Sequence, residues 1–178
     1  HFIVMELLEG VTLKEWLKSP HTLEEKLDLM IQTCDGLSVA HAAGVIHRDV
    51  KPNNLFVLPD GNLKILDFGV ARLVASNVTR SGLIIGTPGY MSPEQARGLE
   101  VDPRSAVFSA AAVFYFMLAG REPFEGPDLP VVLQHVIHDD PPAVPHEEAL
   151  APLFRMVMRG LQKKPEARFA SLGEFVAD

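Results

Sequence analysis

The stretch 47–69, HRDVKPNNLFVLPDGNLKILDFG, constrains this chain more than any other. Two polar clusters, His47-Arg48-Asp49 and Asp67-Phe68-Gly69, bracket two apolar segments, 55–58 and 63–66. Pro59-Asp60-Gly61-Asn62 between them carries the Asp-Gly and Gly-Asn signals of a hairpin turn, so the two segments are predicted to pair as strands. Such a hairpin puts Asp49 and Asn54 before its first strand and Asp67 just after its second. Three oxygen-bearing side chains can then converge beside Lys51. Hard oxygen ligands next to a lysine suit a magnesium-bound polyphosphate.

Asp49, Lys51 and Asn54 within HRDVKPNN, followed by DFG, resemble the catalytic and magnesium loops of eukaryotic-type protein kinases. Downstream, GTPGYMSPEQ (86–95) resembles the end of that family's activation segment, with Ser92-Pro93-Glu94 where Ala-Pro-Glu is usual, as in many bacterial Ser/Thr kinases. Asp-x-Lys or Asp-Phe-Gly alone is ordinary turn chemistry; three motifs in order and at matching spacing are far more specific. The resemblance covers nearly all 178 residues. It implies a mainly α, protein-kinase-like fold: the large (C-terminal) lobe with a short β-hairpin, plus the last strand of the N-lobe and the hinge. On this reading 1–178 is one partial kinase domain, 1–10 being strand and hinge and 11–178 the C-lobe, truncated in its last helix.

The resemblance also implies roles. Asp49 would orient a substrate hydroxyl and accept its proton, Lys51 would offset charge on the transferred phosphate, and Asn54 and Asp67 would hold Mg2+ against ATP. Met5 would be the gatekeeper, Glu6 and Leu8 the hinge along the adenine, and Phe56 the apolar floor beneath it. His47 and Phe68 complete the two polar clusters. Lys51 two residues after Asp49, and Thr87 ahead of the docking segment, fit Ser/Thr rather than tyrosine kinases. Thr79 and Ser81 are the candidate phosphorylation sites of an activation loop, Thr79 foremost, with Arg48 and Arg72 to grip the phosphate. Glu94 and Arg168 match a buried ion pair, whose breakage would cost ~3–5 kcal/mol. One departure stands out: Ala106 replaces an aspartate that accepts backbone hydrogen bonds from the His-Arg-Asp turn, and Ala111 replaces a glycine of the same helix.

Composition narrows the alternatives. A net charge of −7 argues against nucleic acid. The lone Cys34 excludes an internal disulfide framework and suits a reducing, cytoplasmic setting, with any membrane anchor of the parent outside these residues. Cys34 falls on an apolar helix face and reads as core rather than reactive thiol. His135 and His138 read as surface residues, because no metal-ligand spacing accompanies them. The longest uncharged stretch lacking Gly and Pro, 106–119, is too short to span a bilayer and fits a buried helix.

Along the chain, Gly10-Val11-Thr12 is predicted to break the first strand, and Thr12 to cap a short helix. Thr22 with Glu25 forms a capping box for a long helix. Its buried face is predicted to carry Leu23, Leu27, Met30, Ile31, Cys34, Leu37 and His41, with Gly44 ending it. Further helices are expected over 102–119, 129–137 and 149–161 and from Ser171 onward. The sequence contains no glycine-rich phosphate loop, no lysine for the α/β-phosphates and no partner glutamate. The chain opens at His1 rather than Met and is read as a piece of a larger protein that needs a missing N-lobe, inactive by itself. Two readings stay open: part of an active Ser/Thr kinase, or a degraded kinase lobe serving as a binding scaffold.

Overall fold

The computed structural model describes residues 6–67, 88–144 and 148–177. Among these residues a sheet has the order β1-β2-β3, with β1 at Val11–Thr12, β2 at Leu55–Val57 and β3 at Leu63–Ile65, antiparallel throughout. The expected hairpin is β2–β3, in the register Leu55↔Ile65, Phe56↔Lys64 and Val57↔Leu63. Asp60 shapes its turn by accepting from the Asn62 backbone N–H at 3.0 Å, and Gly61 supplies the left-handed φ of 85°. The third strand corrects the sequence reading, in which 10–12 only interrupts a strand. Gly10 explains it: at its φ of 145° a Cβ would lie 2.3 Å from the Val57 carbonyl, so only glycine lets the chain close onto β2.

The helices follow their caps. Thr12 accepts from the Glu15 N–H and starts α1 (Leu13–Trp16). The Thr22–Glu25 capping box starts α2 (Leu23–Ala42), with Glu25 accepting from the Thr22 N–H at 2.8 Å. The buried face of α2 differs from the predicted one. Leu29, Met30, Thr33, Cys34 and Leu37 are buried, whereas Leu23 and Ile31 are exposed. Thr33 can face the core because its hydroxyl donates to the Leu29 carbonyl at 2.8 Å, which satisfies it inside its own helix. Burial pushes the Cys34 thiol up to about 12, so it stays a protonated core residue.

The centre of the fold is α4 (Pro103–Ala119), preceded by the one-turn α3 (Pro93–Ala96). Asp102 caps α4 by accepting from the Arg104 N–H at 2.8 Å, Pro103 occupies its first turn, and Gly120 at φ 70° ends it. Every residue from Ser105 to Tyr115 is buried, which is what a helix apolar all round requires. Helix α5 (Leu129–His138) follows, then α6 (Ala151–Gly160) and α7 (Leu172–Ala177), so each expected helix is present. The α6 helix starts later than 149 because Glu148–Leu150 forms a 3-10 turn. No helix among the described residues is long and apolar enough to cross a membrane.

Candidate active site

The segment between α2 and β2 is held by its own polar side chains. Arg48 has φ 67° and Asp67 has φ 59°, both left-handed without being glycine. Each such residue costs on the order of 1–3 kcal/mol and persists only where its surroundings fix it. After Arg48 the chain runs through a 3-10 turn, Pro52–Asn54, closed by the Asn54 N–H on the Lys51 carbonyl at 2.9 Å. The Asn54 amide donates both to the Asp49 carbonyl at 2.8 Å and to Asp49 Oδ2 at 2.9 Å. Lys51 Nζ reaches the same Oδ2 at 2.7 Å. Asp49 is therefore gripped through one carboxylate oxygen, while no described residue bonds to Oδ1.

Asp67 is brought to this group through its neighbour. The Leu66 N–H donates to the Asn54 carbonyl at 2.8 Å, and the Leu66 carbonyl accepts from His47 Nε2 at 2.7 Å. The other ring nitrogen of His47, Nδ1, accepts from the Asp49 N–H at 3.2 Å. One ring nitrogen faces an acceptor and the other a donor, which defines the neutral Nε2–H imidazole. Burial lowers the His47 pKa and favours that form. His47, fully buried, thus links the two polar motifs across 19 residues.

These residues fit a magnesium ion. Both Asn54 amide hydrogens are committed to Asp49, which leaves its carbonyl oxygen as a ligand, and the exposed Asp67 carboxylate makes no competing hydrogen bond with the described residues. Two hard oxygens suffice for an ion that keeps several waters and takes substrate phosphates for the rest. Among the described residues no three His, Cys, Asp or Glu side chains group as an all-protein metal cage.

On β2, Leu55 and Val57 are buried in the core and Phe56, half-buried, faces the other way. Lys64, its cross-strand partner, shares that face and carries Glu6 at 2.5 Å, so Glu6 lies on the Phe56 side of the sheet. Leu8 is half-buried. A separate cavity of about 470 Å3, lined by Trp16, Leu29 and Val57 with Glu25 and Asp28, includes none of the site residues. Met5, Phe68, Arg72, Thr79, Ser81 and Thr87 lie outside the described residues.

Beneath the loop, α3 joins it to the helical base. Arg168, itself buried, spends all five N–H groups on acceptors. These are Glu94 Oε1 and Oε2 at 2.8 and 2.9 Å, and the carbonyls of Gln162, Arg104 and Lys163 at 2.7, 3.0 and 3.1 Å. Burial alone would raise the Glu94 carboxyl, but hydrogen bonds from Arg168 and Ser105 outweigh it and hold the pKa below the usual range. Sequence reasoning missed Ser105, whose hydroxyl donates to Glu94 Oε1 at 2.5 Å, and also Gln95. Gln95 closes a capping box with Ser92 and donates from its amide to the Arg48 carbonyl at 2.7 Å. The Ser-x-x-Gln spacing signals the capping box, but nothing in it signals the remote contact.

Ala106 is buried, 4% exposed, and its methyl offers the loop no hydrogen bond. Ala111 is fully buried. It faces Gly160 of α6, where a Cβ would come within 2.6 Å of the Ala111 Cβ. The absence of a side chain at Gly160 leaves room for the Ala111 methyl.

A buried histidine linking two polar loops, a carboxylate gripped by lysine and asparagine, and a helical base pinned by one arginine together define the large lobe of a protein kinase. The chain belongs to that family: the protein kinase domain model matches residues 1–172. It is 42% identical over 185 residues to the serine/threonine-protein kinase PknB of Mycobacterium tuberculosis, covering 99% of this chain and 29% of that protein. It is 38% identical over 182 residues to the serine/threonine-protein kinase Pkn1 of Myxococcus xanthus, covering 98% of this chain and 26% of that protein. With the serine/threonine-protein kinase drp72 of Corynebacterium efficiens the identity is 42% over 177 residues, 97% of this chain and 34% of the relative. The chain thus spans about a third or less of the curated relatives it matches.

Proposed function

We propose that these residues form the substrate side of a Ser/Thr protein kinase that transfers the γ-phosphate of ATP to a serine or threonine hydroxyl of a protein. The observation that carries the reading is the asymmetric grip on Asp49: Oδ2 is held by Lys51 and Asn54, while Oδ1 has no partner among the described residues. The substrate hydroxyl oxygen attacks the γ-phosphorus and gives its proton to Oδ1, the bond to the ADP oxygen breaks, and Lys51 offsets charge on the moving phosphoryl group. Mg2+, when bound by Asn54 and Asp67, neutralises charge on the phosphates. Phe56 underlies the adenine, with Glu6 and Leu8 along its edge. Positioning and charge neutralisation, rather than covalent chemistry, supply most of the rate. An N-lobe must close over the nucleotide, and the domain acts in the cytoplasm. Thr79 and Ser81 are the autophosphorylation sites, read by Arg48 and Arg72.

A second reading, a weakened kinase or binding scaffold, is favoured by one observation, the buried methyl of Ala106 where an anchor for the loop would sit. The discriminating experiment uses the product of the whole reading frame with labelled ATP and a generic basic protein, with Mg2+ or with EDTA. Magnesium-dependent phosphoserine or phosphothreonine supports the first reading. Nucleotide-independent binding without transfer, or label on tyrosine alone, defeats it.

A further inference from the structure

We propose that Gln95 is a positioning residue that holds the catalytic loop from below, through the Arg48 carbonyl. Its side-chain amide has one consistent orientation. Gln95 Oε1 accepts from the Ser92 N–H at 3.0 Å and from the Ser92 hydroxyl at 3.1 Å, so the NH2 end must face Arg48. Turned over, the amide would set donor against donor at Ser92 and acceptor against acceptor at the Arg48 carbonyl, 2.7 Å away. The capping box thus fixes the amide, and the amide fixes the loop across 47 residues of sequence.

The residue it holds is the one that needs holding. Arg48 sits at φ 67°, a conformation that relaxes unless something outside the loop opposes it, and it immediately precedes Asp49. The hydrogen bonds that Asp49 makes with Lys51, Asn54 and His47 all lie within the loop. They set its shape without tying it to the helical base. His47 ties it to Leu66, and Gln95 ties it to α3, which Glu94 in turn fixes to Arg168 and Ser105. The Ala106 methyl adds no hydrogen bond from α4. Because a displacement of about 1 Å at a catalytic group can lower the rate about a hundredfold, one hydrogen bond at this point governs turnover without touching substrate.

The kinetic part of this inference rests on the proposed kinase activity; the structural part does not. Gln95→Glu separates the two, since Glu is an ordinary capping-box partner and keeps the helix start, yet it has no proton to give the Arg48 carbonyl. In the whole reading-frame product this variant is expected to lower kcat at least tenfold, with KM for ATP and for peptide within twofold. Its melting temperature should stay near that of the parent, whereas Gln95→Ala, which also loses the cap, should lower it. Hydrogen exchange at the amides of 48–54 is expected to rise tenfold or more in Gln95→Glu. Unchanged exchange there overturns the proposal, and so does raised exchange with unchanged kcat or a change confined to KM. A parent with no transferase activity defeats the kinase reading instead, and exchange alone then decides whether Gln95 holds the loop.

Discussion

Replacing Arg168 by methionine tests what fixes the activation-segment end to the helical base. The arginine side chain is wholly buried and its ion partner Glu94 nearly so, at 0% and 9% exposure. Methionine matches much of the stem and keeps apolar contact with Phe108, over whose ring the guanidinium lies at 4.9 Å. It leaves the Glu94 carboxylate with the Ser105 hydroxyl alone and takes one donor from each of three carbonyls. Three carbonyls at ~1–3 kcal/mol each and a carboxylate without its counter-charge would rival the whole stability of a typical domain if summed. Such terms are not additive, because relaxation and water entry recover part, and single-partner deletions of buried pairs cost about 3–5 kcal/mol. At about 2–4 °C per kcal/mol for a chain of this size, that is a fall of roughly 6–20 °C in melting temperature. The assay is urea unfolding with a double-mutant cycle of Arg168→Met, Glu94→Gln and the pair. A neutral amide in place of the Glu94 carboxylate needs no counter-charge, so the double variant should be less destabilised than the sum of the singles by at least about 1 kcal/mol. A loss below about 1 kcal/mol for Arg168→Met, or strict additivity, would refute the view that this pair pins α3.

Other consequences follow from named contacts. Gly160→Ala should destabilise by about 1–3 kcal/mol, since its Cβ would press on Ala111, and Ala111→Gly should relieve it; independent effects in the cycle would contradict the packing. Ala106→Asp, assayed in the whole reading-frame product, should raise turnover tenfold or more, about 1.4 kcal/mol, if α4 lacks an anchor for the loop; an unchanged rate and melting temperature would show that Gln95 and His47 suffice. Burial lowers both His41 and His47 in the folded chain below the ordinary value of about 6.5. The unfolded chain therefore takes up protons first as pH falls, and stability complete above about pH 6.5 is lost below it. The buried His41 Nε2 has no hydrogen-bond partner among the described residues, so His41→Leu should flatten that slope and stabilise by about 1 kcal/mol at pH 7; thermal melts from pH 7.5 to 5.5 check both.

What was legible in the sequence is what neighbouring residues decide among themselves. The 59–62 turn, the Thr22–Glu25 capping box, and Asp102 with Pro103 ahead of α4 each carry their signal within four residues, and each element stands where that signal puts it. The face of α2 is misread because Thr33 counts as polar until its hydroxyl is seen bonding inside the helix, while Leu23 and Ile31 remain exposed. Strand β1 escapes notice because two residues show no periodicity and Gly10 reads as a breaker rather than as the residue that permits close approach. The link between Glu94 and Arg168 spans 74 residues and is legible only through the resemblance. The Gln95 contact and the packing of Ala111 on Gly160 join residues far apart in sequence and have no local signal at all.

Asp49, gripped through one oxygen and open to substrate at the other, is proposed as the base of a phosphoryl transfer. The decisive measurement is single-turnover transfer from labelled ATP in the whole reading-frame product, comparing the parent with Asp49→Asn. The variant keeps the size of the side chain and an oxygen for Lys51 but cannot take up the hydroxyl proton. Magnesium-dependent phosphoserine or phosphothreonine is expected in the parent, and a rate lower by about 10²–10⁴ in the variant, the usual contribution of a positioned base. Equal rates in the two proteins, or no transfer by the parent, would contradict it.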